Sequence, residues 1–585
     1  MSSFCPLDLK KSLTPETKQR IQVWLEGNFD SQTKKELALL LNENEQEVMN
    51  AFYKHLSFGT GGLRGIVGIG PNRINRYTIR AASQAVAEEL LESDVENPSV
   101  IIGFDSRIHS LELAQEAASV FAQNGVMTYL FTHLCPAPLL SFACREKKCT
   151  RGIMITASHN PPKYNGYKVF GENGAQILPS QAKTVLAKIN TYKDPSAILL
   201  ASLSHPLIQH IADDMDDAYC QASLKMQSLQ EQDRNFGSSL NVIYSPLHGT
   251  GGRLMTKMMD LWGFSKYSLV SKQAIPNGHF PTVQLPNPEE PSAMVLGTKQ
   301  LEEENGDLFI ATDPDADRMG VVVRDSKNSH MLNGHQIACL LLDHACRHEK
   351  ADPSTLFAIK TLATTELFRK MAASYGIRCY DVLNGFKYIA QKIDQEENQR
   401  NTFLLGAESS HGYLYKNLTR DKDGILSSAL LLEAALDAKQ HQKTLIDRLF
   451  ELYRIFGVHI NQIESLQFPD TKQGREDLDS VLKKLQSNPM TKIGEIPVIQ
   501  IDNFALSETT HLPLGTQTSL DYPKDPLLIF WLEDGSKLLV RPSGTEPKLK
   551  LYVEVAIAPK QDVNAALQEG QIRAANLLTS LRTLA

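Results

Sequence analysis

Residues 152–162 read Gly-Ile-Met-Ile-Thr-Ala-Ser-His-Asn-Pro-Pro, a short apolar run followed by a polar segment. The run is typical of a buried strand, and the two prolines stiffen the loop that we expect after it. Ser158, His159 and Lys168 lie close together in the sequence, so a nucleophile and its proton partners can be held together. A capping serine in a turn is the structural alternative for this segment taken alone.

The same kind of strand recurs along the chain and alternates with helical patterns. Apolar runs at 100–105, 127–132, 240–244, 307–311 and 403–406 are separated by segments of helical periodicity. Strands that alternate with helices favour α/β layer domains.

The pattern changes after about residue 450. Three apolar runs at 529–532, 537–540 and 550–555 indicate a meander, and a helical pattern follows near 561–582. The sequence therefore predicts an α+β domain at the C-terminal end of the α/β domains.

Length, charge and cysteine content limit the class of protein. A chain of 585 residues is too long for one core and predicts about four domains. The net charge of -7 disfavours a nucleic-acid binder. The eight cysteines lack metal-ligand spacing and are interpreted as reduced thiols. Without a secretory pattern or a membrane-spanning run, we expect a cytoplasmic protein with no membrane partner and no obligate protein partner.

Residues 312–318 read Thr-Asp-Pro-Asp-Ala-Asp-Arg between two predicted strands. Carboxylates at every second position can converge on a hard cation, whereas without one they repel each other. A solvated acidic turn is the alternative. A helix–loop–helix calcium site is excluded, because Arg318 and Arg324 stand where it needs Gly and Glu. A haloacid-dehalogenase-type phosphatase fits less well, since it wants Thr or Val in place of Asp317.

Two further segments carry groups suited to a phosphorylated sugar. Residues 541–547, Arg-Pro-Ser-Gly-Thr-Glu-Pro, combine a guanidinium, hydroxyl donors and a glycine, as a phosphate cradle requires. Residues 406–413 offer Glu408 and Ser410 for hydrogen bonds to sugar hydroxyls. A hairpin turn and a polar loop are the respective alternatives, and Lys387 in Asn-Gly-Phe-Lys is equally ambiguous by itself.

Together, these four segments resemble the signatures of the α-D-phosphohexomutase superfamily: T-A-S-H-N-P, D-x-D-x-D-R, G-E-x-S and R-x-S-G-T-E-P. They occur in the family's order and span nearly the whole chain. Residues 58–65, 245–252 and 420–424 are similar to the long phosphoglucomutase/phosphomannomutase branch, which also includes phosphopentomutase-like members.

The resemblance implies a four-domain, heart-shaped fold in which three related α/β domains and an α+β C-terminal domain surround a central cleft. The implied domains are 1–205 with the phosphoserine loop, 206–326 with the metal loop, 327–450 with the sugar loop and 451–585 with the phosphate loop.

The resemblance also implies an intramolecular phosphotransferase that interconverts a sugar 1-phosphate and a sugar 6-phosphate through phospho-Ser158 and a sugar 1,6-bisphosphate, which also serves as activator. Glucose is the expected sugar. Mannose and pentose remain alternatives, because branch members commonly read Glu-Glu-Ser where this chain has Glu408-Ser409-Ser410. A metal-dependent phosphatase and a catalytically silent relative are the alternatives from other classes.

The resemblance assigns roles to individual residues. Mg²⁺ would be held by Ser158, Asp313, Asp315 and Asp317. Both Lys168 and His159 are candidates for proton transfer, with Arg64, Arg318 and Lys387 as charge partners. The sugar phosphate would be bound by Lys387, Glu408, Ser410, Arg541, Ser543, Gly544 and Thr545.

Overall fold

A computed structural model describes residues 13–56, 61–229, 236–469, 472–487, 490–542 and 548–584. The chain divides into two compact units. The first contains the residues up to 324 together with 414–429, and the second contains 325–413 and 430–585.

The first unit opens with three helices that close an aromatic cluster. Trp24, Phe29 and Phe52 are buried there against Tyr77, and Trp24 stacks on Phe29 with a ring-centroid distance of 4.4 Å. Aromatic pairs at this spacing stabilise a core beyond the area that they bury. The helices are α1 (Pro15–Glu26), α2 (Ser31–Glu43) and α3 (Glu45–Phe52).

The first sheet carries the serine segment. Its strands are β1 (Gly62–Ile66), β2 (Ser99–Phe104), β3 (Met127–Phe131), β4 (Arg151–Ile155), β5 (Tyr164–Gly171) and β6 (Ile208–Ile211), in the order β1-β5-β4-β2-β3-β6. β4 runs parallel to β2, and β5 returns antiparallel to β4. The chain therefore leaves the sheet after Ile155, forms the serine loop and turns back beside the same strand.

Helices connect and cover these strands. They are α4 (Arg76–Leu91), α5 (Ser110–Gln123), α6 (Ala137–Glu146) and α7 (Pro179–Ile189). The central strands are buried along their length, as residues 100–102 illustrate, and such continuous apolar runs are typical of strands covered on both faces.

The second sheet of the first unit carries the acidic segment. β7 (Val242–Ser245), β8 (Tyr267–Leu269), β9 (Leu308–Thr312) and β10 (Met319–Arg324) lie in the order β10-β9-β7-β8. β9 and β10 pair antiparallel, so the acidic residues between them form the connecting turn. The helices are α8 (Asp214–Leu224), α9 (Gly251–Trp262), α10 (Ser271–Ala274) and α11 (Pro291–Glu303).

The second unit begins with β11 (Ser329–Leu332) and then forms a third sheet. β12 (Leu356–Thr361), β13 (Arg378–Val382), β14 (Thr402–Glu408) and β15 (Gly412–Tyr415) lie in the order β13-β12-β14-β15. The helices are α12 (Gly334–His348), α13 (Glu366–Ser374), α14 (Phe386–Glu397), α15 (Gly424–Gln440) and α16 (Leu445–Phe456), and α15 begins in the first unit and ends in the second.

The fourth sheet lies in the C-terminal part of the second unit, and its strand pairs are antiparallel. β16 (Val458–Gln467), β18 (Ile496–Asn503), β19 (Glu508–His511), β20 (Thr516–Ser519), β21 (Leu528–Leu532), β22 (Lys537–Pro542) and β23 (Lys548–Ile557) follow the order β16-β23-β22-β21-β18-β19-β20, and β17 (Lys492–Ile493) pairs with β18. The helices are α17 (Lys472–Ser487) and α18 (Val563–Leu584).

The predicted succession of α/β layers and a final α+β region is confirmed, but one expectation needs correction. The C-terminal sheet is larger than the predicted three-stranded meander, because it also includes β16 and β18–β20. The domain boundaries near 205, 326 and 450 stay predictions.

Two simpler expectations concern thiols and membranes. The seven cysteines within the described residues are free, and five of them are buried. In the described part of the chain, no helix combines the length and the apolar character needed to cross a membrane.

Gly297 is the point where α11 packs on the strand that carries the acidic turn. A Cβ at this position would lie 2.1 Å from the nearest Phe309 ring atom. We predict that Gly297→Ala lowers the thermal unfolding midpoint, since overpacking costs about 1–3 kcal/mol and the gain in helix propensity returns about 1 kcal/mol at most.

Ser292→Ala is the matched control, because Ser292 is exposed on the same helix. It should change stability by less than about 0.5 kcal/mol. Equal unfolding midpoints for Gly297→Ala and Ser292→Ala would contradict the tight packing of α11 on β9.

Candidate active site

Ser158 lies just past the end of β4 in a strained backbone conformation. Its φ is +52°, in the left-handed region, and its N–H donates to Thr156 Oγ1 at 2.8 Å. The residue is 3% exposed. A non-glycine residue in the left-handed region has a less stable backbone conformation, which persists only when the surrounding structure enforces it. Such residues are common at functional sites.

Arg107 stabilises the serine loop by contacts to its backbone. Its guanidinium donates to the carbonyls of Ser158 at 2.6 Å, Pro161 at 2.9 Å and Tyr164 at 3.0 Å. Asp105 lies 3.3 Å from Arg107 Nε and balances the buried charge. Sequence reasoning missed Arg107, because a lone arginine three residues past the end of β2 gives no local sign of the backbone carbonyls that it contacts.

The side chain of Ser158 joins the two sheets of the first unit. Its Oγ donates to Asp313 Oδ2 at 2.8 Å and lies 3.2 Å from His159 Nδ1. Burial and the neighbouring charges of Arg318 and Arg64 hold the pKa of His159 well below its usual value, so its imidazole is neutral at pH 7. A neutral imidazole beside a hydroxyl can exchange a proton with it.

The three aspartates of the turn between β9 and β10 form one buried group. Asp313, Asp315 and Asp317 are at most 1% exposed, and one oxygen of each lies within 4.8 Å of the others. The turn places them together because Ala316 has a φ of +54° and its N–H donates to the Asp313 carbonyl at 2.8 Å.

Cationic side chains from separate segments compensate the carboxylates. Lys168 Nζ donates to Asp315 Oδ2 at 2.7 Å and to Asp317 Oδ2 at 3.3 Å. Lys422 Nζ lies 3.2 Å from Asp317 Oδ2, and Arg318 Nε lies 3.8 Å from Asp317 Oδ1.

The pKa shifts follow these neighbours. Burial would raise the pKa of Asp317, but Lys422 and Lys168 outweigh it and lower that pKa well below its usual range. Burial and the adjacent carboxylates raise the pKa of Asp313. Burial alone would lower the pKa of Lys168, and the two aspartates raise it instead.

The aspartate group fits a hard cation. Within the described residues, the buried atoms Asp315 Oδ1 and Asp317 Oδ1 accept no hydrogen bond. Closely spaced carboxylate oxygens with spare lone pairs are the donor set that Mg²⁺ and Ca²⁺ prefer.

Residues 248–252 support the backbone of the acidic turn. The N–H and the hydroxyl of Thr250 both donate to the Pro314 carbonyl, at 2.8 and 2.9 Å. A Cβ on Gly249 would lie 2.4–2.8 Å from the backbone of Pro314, so only glycine allows this approach. The first residue of α15 also contacts the acidic turn, since the Gly424 N–H donates to the Ala316 carbonyl at 3.2 Å.

Two predicted arginines lie at the edge of this site. Arg64 is exposed and donates to Asn160 Oδ1 at 2.9 Å. Arg318 donates to Glu289 Oε1 at 2.7 Å, and its backbone N–H donates to Asp313 Oδ1 at 3.0 Å. The structure therefore groups Ser158, His159, Lys168, Arg64 and Arg318 with the three aspartates.

The second unit contains another group of predicted residues, at the N-terminus of α14. Glu408, 9% exposed at the end of β14, accepts the N–H of Gly385 at 2.8 Å. This bond fixes one carboxylate oxygen against α14, and Ser410 lies in the partly exposed turn that follows.

Lys387 and Arg541 lie close enough to influence each other electrostatically. Burial and the charge of Arg541 lower the pKa of Lys387 to about 8, against the opposing effect of Asp525. Asp525 faces Arg541 at 3.3 Å, from Oδ1 to Nε. Ser543, Gly544 and Thr545 lie outside the described residues.

Comparison with known families covers most of the chain. Residues 55–196, 217–327 and 333–453 match the models for α/β/α domains I, II and III of phosphoglucomutase/phosphomannomutase, and residues 528–567 match the model for its C-terminal domain. The chain belongs to this family. It is thus a member of the α-D-phosphohexomutase superfamily, and it is a phosphotransferring sugar-phosphate mutase.

Individual relatives agree with this family. The chain is 32% identical to a phosphoglucomutase of Staphylococcus saprophyticus over 94% of this chain and 99% of the relative. It is also 32% identical to a phosphoglucomutase of Staphylococcus aureus over 93% and 96%. The open form of parafusin, a phosphoglucomutase of Paramecium, has the same fold with a TM-score of 0.66, at 17% identity over 90% of this chain and 96% of that chain.

Lys422 is a further site residue that sequence reasoning did not select, although the segment 420–424 contributed to the family resemblance. In the sequence, a lysine between two aspartates is typical of a solvent-exposed charged segment. Its position is set by the buried turn before α15, where Lys422 is 7% exposed and lies beside Asp317.

We predict that Gly249→Ala strongly reduces mutase activity and cation affinity, because the added methyl group would displace Pro314 and with it the aspartates on either side. Activity on a sugar phosphate and calorimetric titration with Mg²⁺ measure the two effects.

Gly252→Ala is the matched control in the same segment. Its Cβ would meet no atom closer than 3.6 Å, so both readouts should stay near the wild-type values. If Gly249→Ala behaved like Gly252→Ala, residues 248–252 would not position the acidic turn.

Proposed function

We propose that this protein interconverts glucose 1-phosphate and glucose 6-phosphate through phospho-Ser158 and glucose 1,6-bisphosphate. The observation that carries the proposal is the 2.8 Å hydrogen bond from Ser158 Oγ to Asp313 Oδ2, which joins the nucleophile to the aspartate group. The relatives named phosphoglucomutase support glucose as the sugar.

In the first half-reaction, the bond between phosphorus and Ser158 Oγ breaks and a new bond forms to a free hydroxyl of the sugar monophosphate. The sugar hydroxyl loses its proton and Ser158 Oγ gains one. His159 Nδ1, 3.2 Å from Oγ, is placed to exchange the serine proton, whereas Lys168 Nζ is engaged with Asp315 and Asp317. The second half-reaction returns the other phosphoryl group to Ser158.

Asp313, Asp315 and Asp317 would hold Mg²⁺ together with an oxygen of the phosphorylated serine. When bound, the ion would neutralise negative charge on the phosphoryl oxygens. Lys168 and Lys422 orient the carboxylates, and Arg64 and Arg318 add positive charge where the phosphoryl group is transferred.

The residues of the second unit would hold the part of the substrate that does not react. Glu408 and Ser410 suit ring hydroxyls, and Lys387 and Arg541 suit a phosphate. Ser543, Gly544 and Thr545 complete this assignment as the family resemblance implies it. A charged fork and an ammonium bind a dianion more strongly than neutral donors do.

Mannose 1-phosphate or a pentose phosphate is the second candidate substrate. The observation that favours it is Ser409, which stands where branch members commonly carry a second glutamate. A site with one carboxylate fewer has a different set of acceptors for sugar hydroxyls, so the hydroxyl pattern that it selects can differ.

A panel of sugar 1-phosphates tests the proposal. We expect Mg²⁺ and a trace of the matching bisphosphate to give the highest kcat/KM with glucose 1-phosphate, and chelation of the metal to abolish turnover. Ser158→Ala should lose nearly all activity, and its intact mass should lack the single phosphate adduct expected on the wild-type protein.

Net release of inorganic phosphate would indicate a phosphatase and contradict the mutase mechanism at this site. A higher kcat/KM with a mannose or pentose phosphate than with glucose 1-phosphate would be consistent with the mutase mechanism but would contradict glucose as the preferred sugar. Wild-type turnover by Ser158→Ala would exclude the phosphoserine.

Arg541→Ala tests the phosphate assignment in the second unit. Loss of a charge-assisted contact worth roughly 1.5–3 kcal/mol should raise the apparent KM about tenfold to a hundredfold. Free bisphosphate should accumulate during turnover, because the intermediate is held less firmly. Mass analysis should still find Ser158 phosphorylated.

Arg541→Lys is the control, since it keeps the charge and removes the planar fork. We expect it to have an intermediate KM. If Arg541→Ala changed neither the KM nor the release of bisphosphate, the segment after β22 would be an ordinary hairpin turn.

A further inference from the structure

A second group of possible metal ligands lies between two helices of the second unit. His344 and His348 are four residues apart on α12, and Glu433 and Asp437 are four residues apart on the facing part of α15. Residues at this spacing point from the same side of a helix, so the two pairs can meet across the interface.

The side chains converge in the structure. One ligand atom each from His344, His348 and Asp437 lies within 4.8 Å of the other two. The imidazole centroids are 4.4 Å apart, and Glu433 Oε2 lies 3.6 Å from His344 Nε2. His348 Nε2 is buried and makes no hydrogen bond to any described residue, so this nitrogen remains available for a ligand.

We propose that His344, His348 and Asp437 bind a divalent transition-metal ion of the Zn²⁺ type, and that Glu433 orients His344. Two imidazoles and a carboxylate are a common zinc donor set with room for one water. A carboxylate beside a ligating histidine is the usual arrangement around such sites. Mg²⁺ prefers oxygen ligands, so the aspartate group of the first unit and this site select different ions.

The nearby arginines do not occupy all the carboxylate oxygens of the proposed site. Arg347 NH1 contacts Asp437 Oδ2 at 2.8 Å, which leaves the other carboxylate oxygen for a metal. Arg347 and Arg448 are both paired with Asp343, at 3.0 and 2.6 Å. Asp343, Asp437 and Glu433 stand against Arg347 and Arg448, while nearby Lys443 is paired with Glu451 at 2.6 Å, so carboxylates are in excess among these groups and favour an added cation.

One of the proposed ligands, Asp437, lies on the wall of a cavity. A cavity of about 180 Å³ is lined by Asp437, Arg347 and His441, among other residues. Asp437 thus belongs both to the cavity wall and to the ligand group. A metal here would tie α12 to α15, and we expect its effect to be on stability.

Cobalt binding tests the site, because Co²⁺ can substitute for Zn²⁺ in zinc sites. Co²⁺ with four or five ligands absorbs visible light much more strongly than octahedral Co²⁺. The full-length protein, freed of metals and saturated with Mg²⁺ to occupy the aspartate group, is titrated with Co²⁺. We expect one equivalent to produce visible absorption bands, and Zn²⁺ to remove them and to raise the unfolding midpoint.

Ligand variants locate the site. His348→Gln and Asp437→Asn should each weaken Co²⁺ binding by at least about tenfold, because the loss of even an outer-shell partner of a metal ligand costs about 10–100-fold in affinity. His441→Gln is the matched control: His441 is exposed and lies 3.7 Å from Asp437 Oδ1, but it is not part of the ligand group. It should keep the wild-type bands.

Absence of the bands in the wild-type protein would overturn the proposal. So would bands that persist unchanged in both His348→Gln and Asp437→Asn, or bands that His441→Gln removes. Asp437 is partly exposed, so Asp437→Asn provides a folded variant if His348→Gln is unstable. Mutase activity is not the readout, and failure of this site leaves the phosphoserine assignment untouched.

Discussion

Burial of three carboxylates within 4.8 Å of one another is the constraint on which the first unit depends. Like charges removed from water at this distance repel strongly and must be compensated. The compensation comes from Lys168 on the first sheet, Lys422 before α15 and Arg318 in the turn itself. Because Lys168 and Lys422 come from distant parts of the sequence, their ion pairs with the carboxylates also link the two sheets and the segment 414–429.

Much of the architecture could be predicted from the sequence, because apolar runs and helical periodicity alternate plainly. The order of the strands could not, since β5 turns back antiparallel and no local pattern marks that reversal. β20 reads Thr-Gln-Thr-Ser and is exposed along its length, so it lacks the apolar signal of a strand. Its pairing with β19 is set by the neighbouring strand rather than by its own side chains.

The candidate site could be predicted where chemistry is concentrated in one segment, as at Ser158 and the three aspartates. It could not be predicted where a side chain acts through distant partners. Arg107 supports the serine loop through backbone carbonyls more than fifty residues away, and a lone arginine after a strand does not reveal that. Lys422 likewise gains its role only when its segment is buried beside Asp317.

The two groups of site residues differ in electrostatic character, and this difference matches what phosphoryl transfer requires. The first unit gathers carboxylates with spare oxygens, which favour a cation. The second unit places Lys387 near Arg541, where burial and like charge lower the pKa of the lysine to about 8. An ammonium destabilised in this way gains most from a bound dianion, because a phosphate replaces repulsion with attraction. Asp525 contacts Arg541 only through long hydrogen bonds of 3.3 and 3.4 Å, so the carboxylate offsets the charge of the guanidinium but holds it weakly.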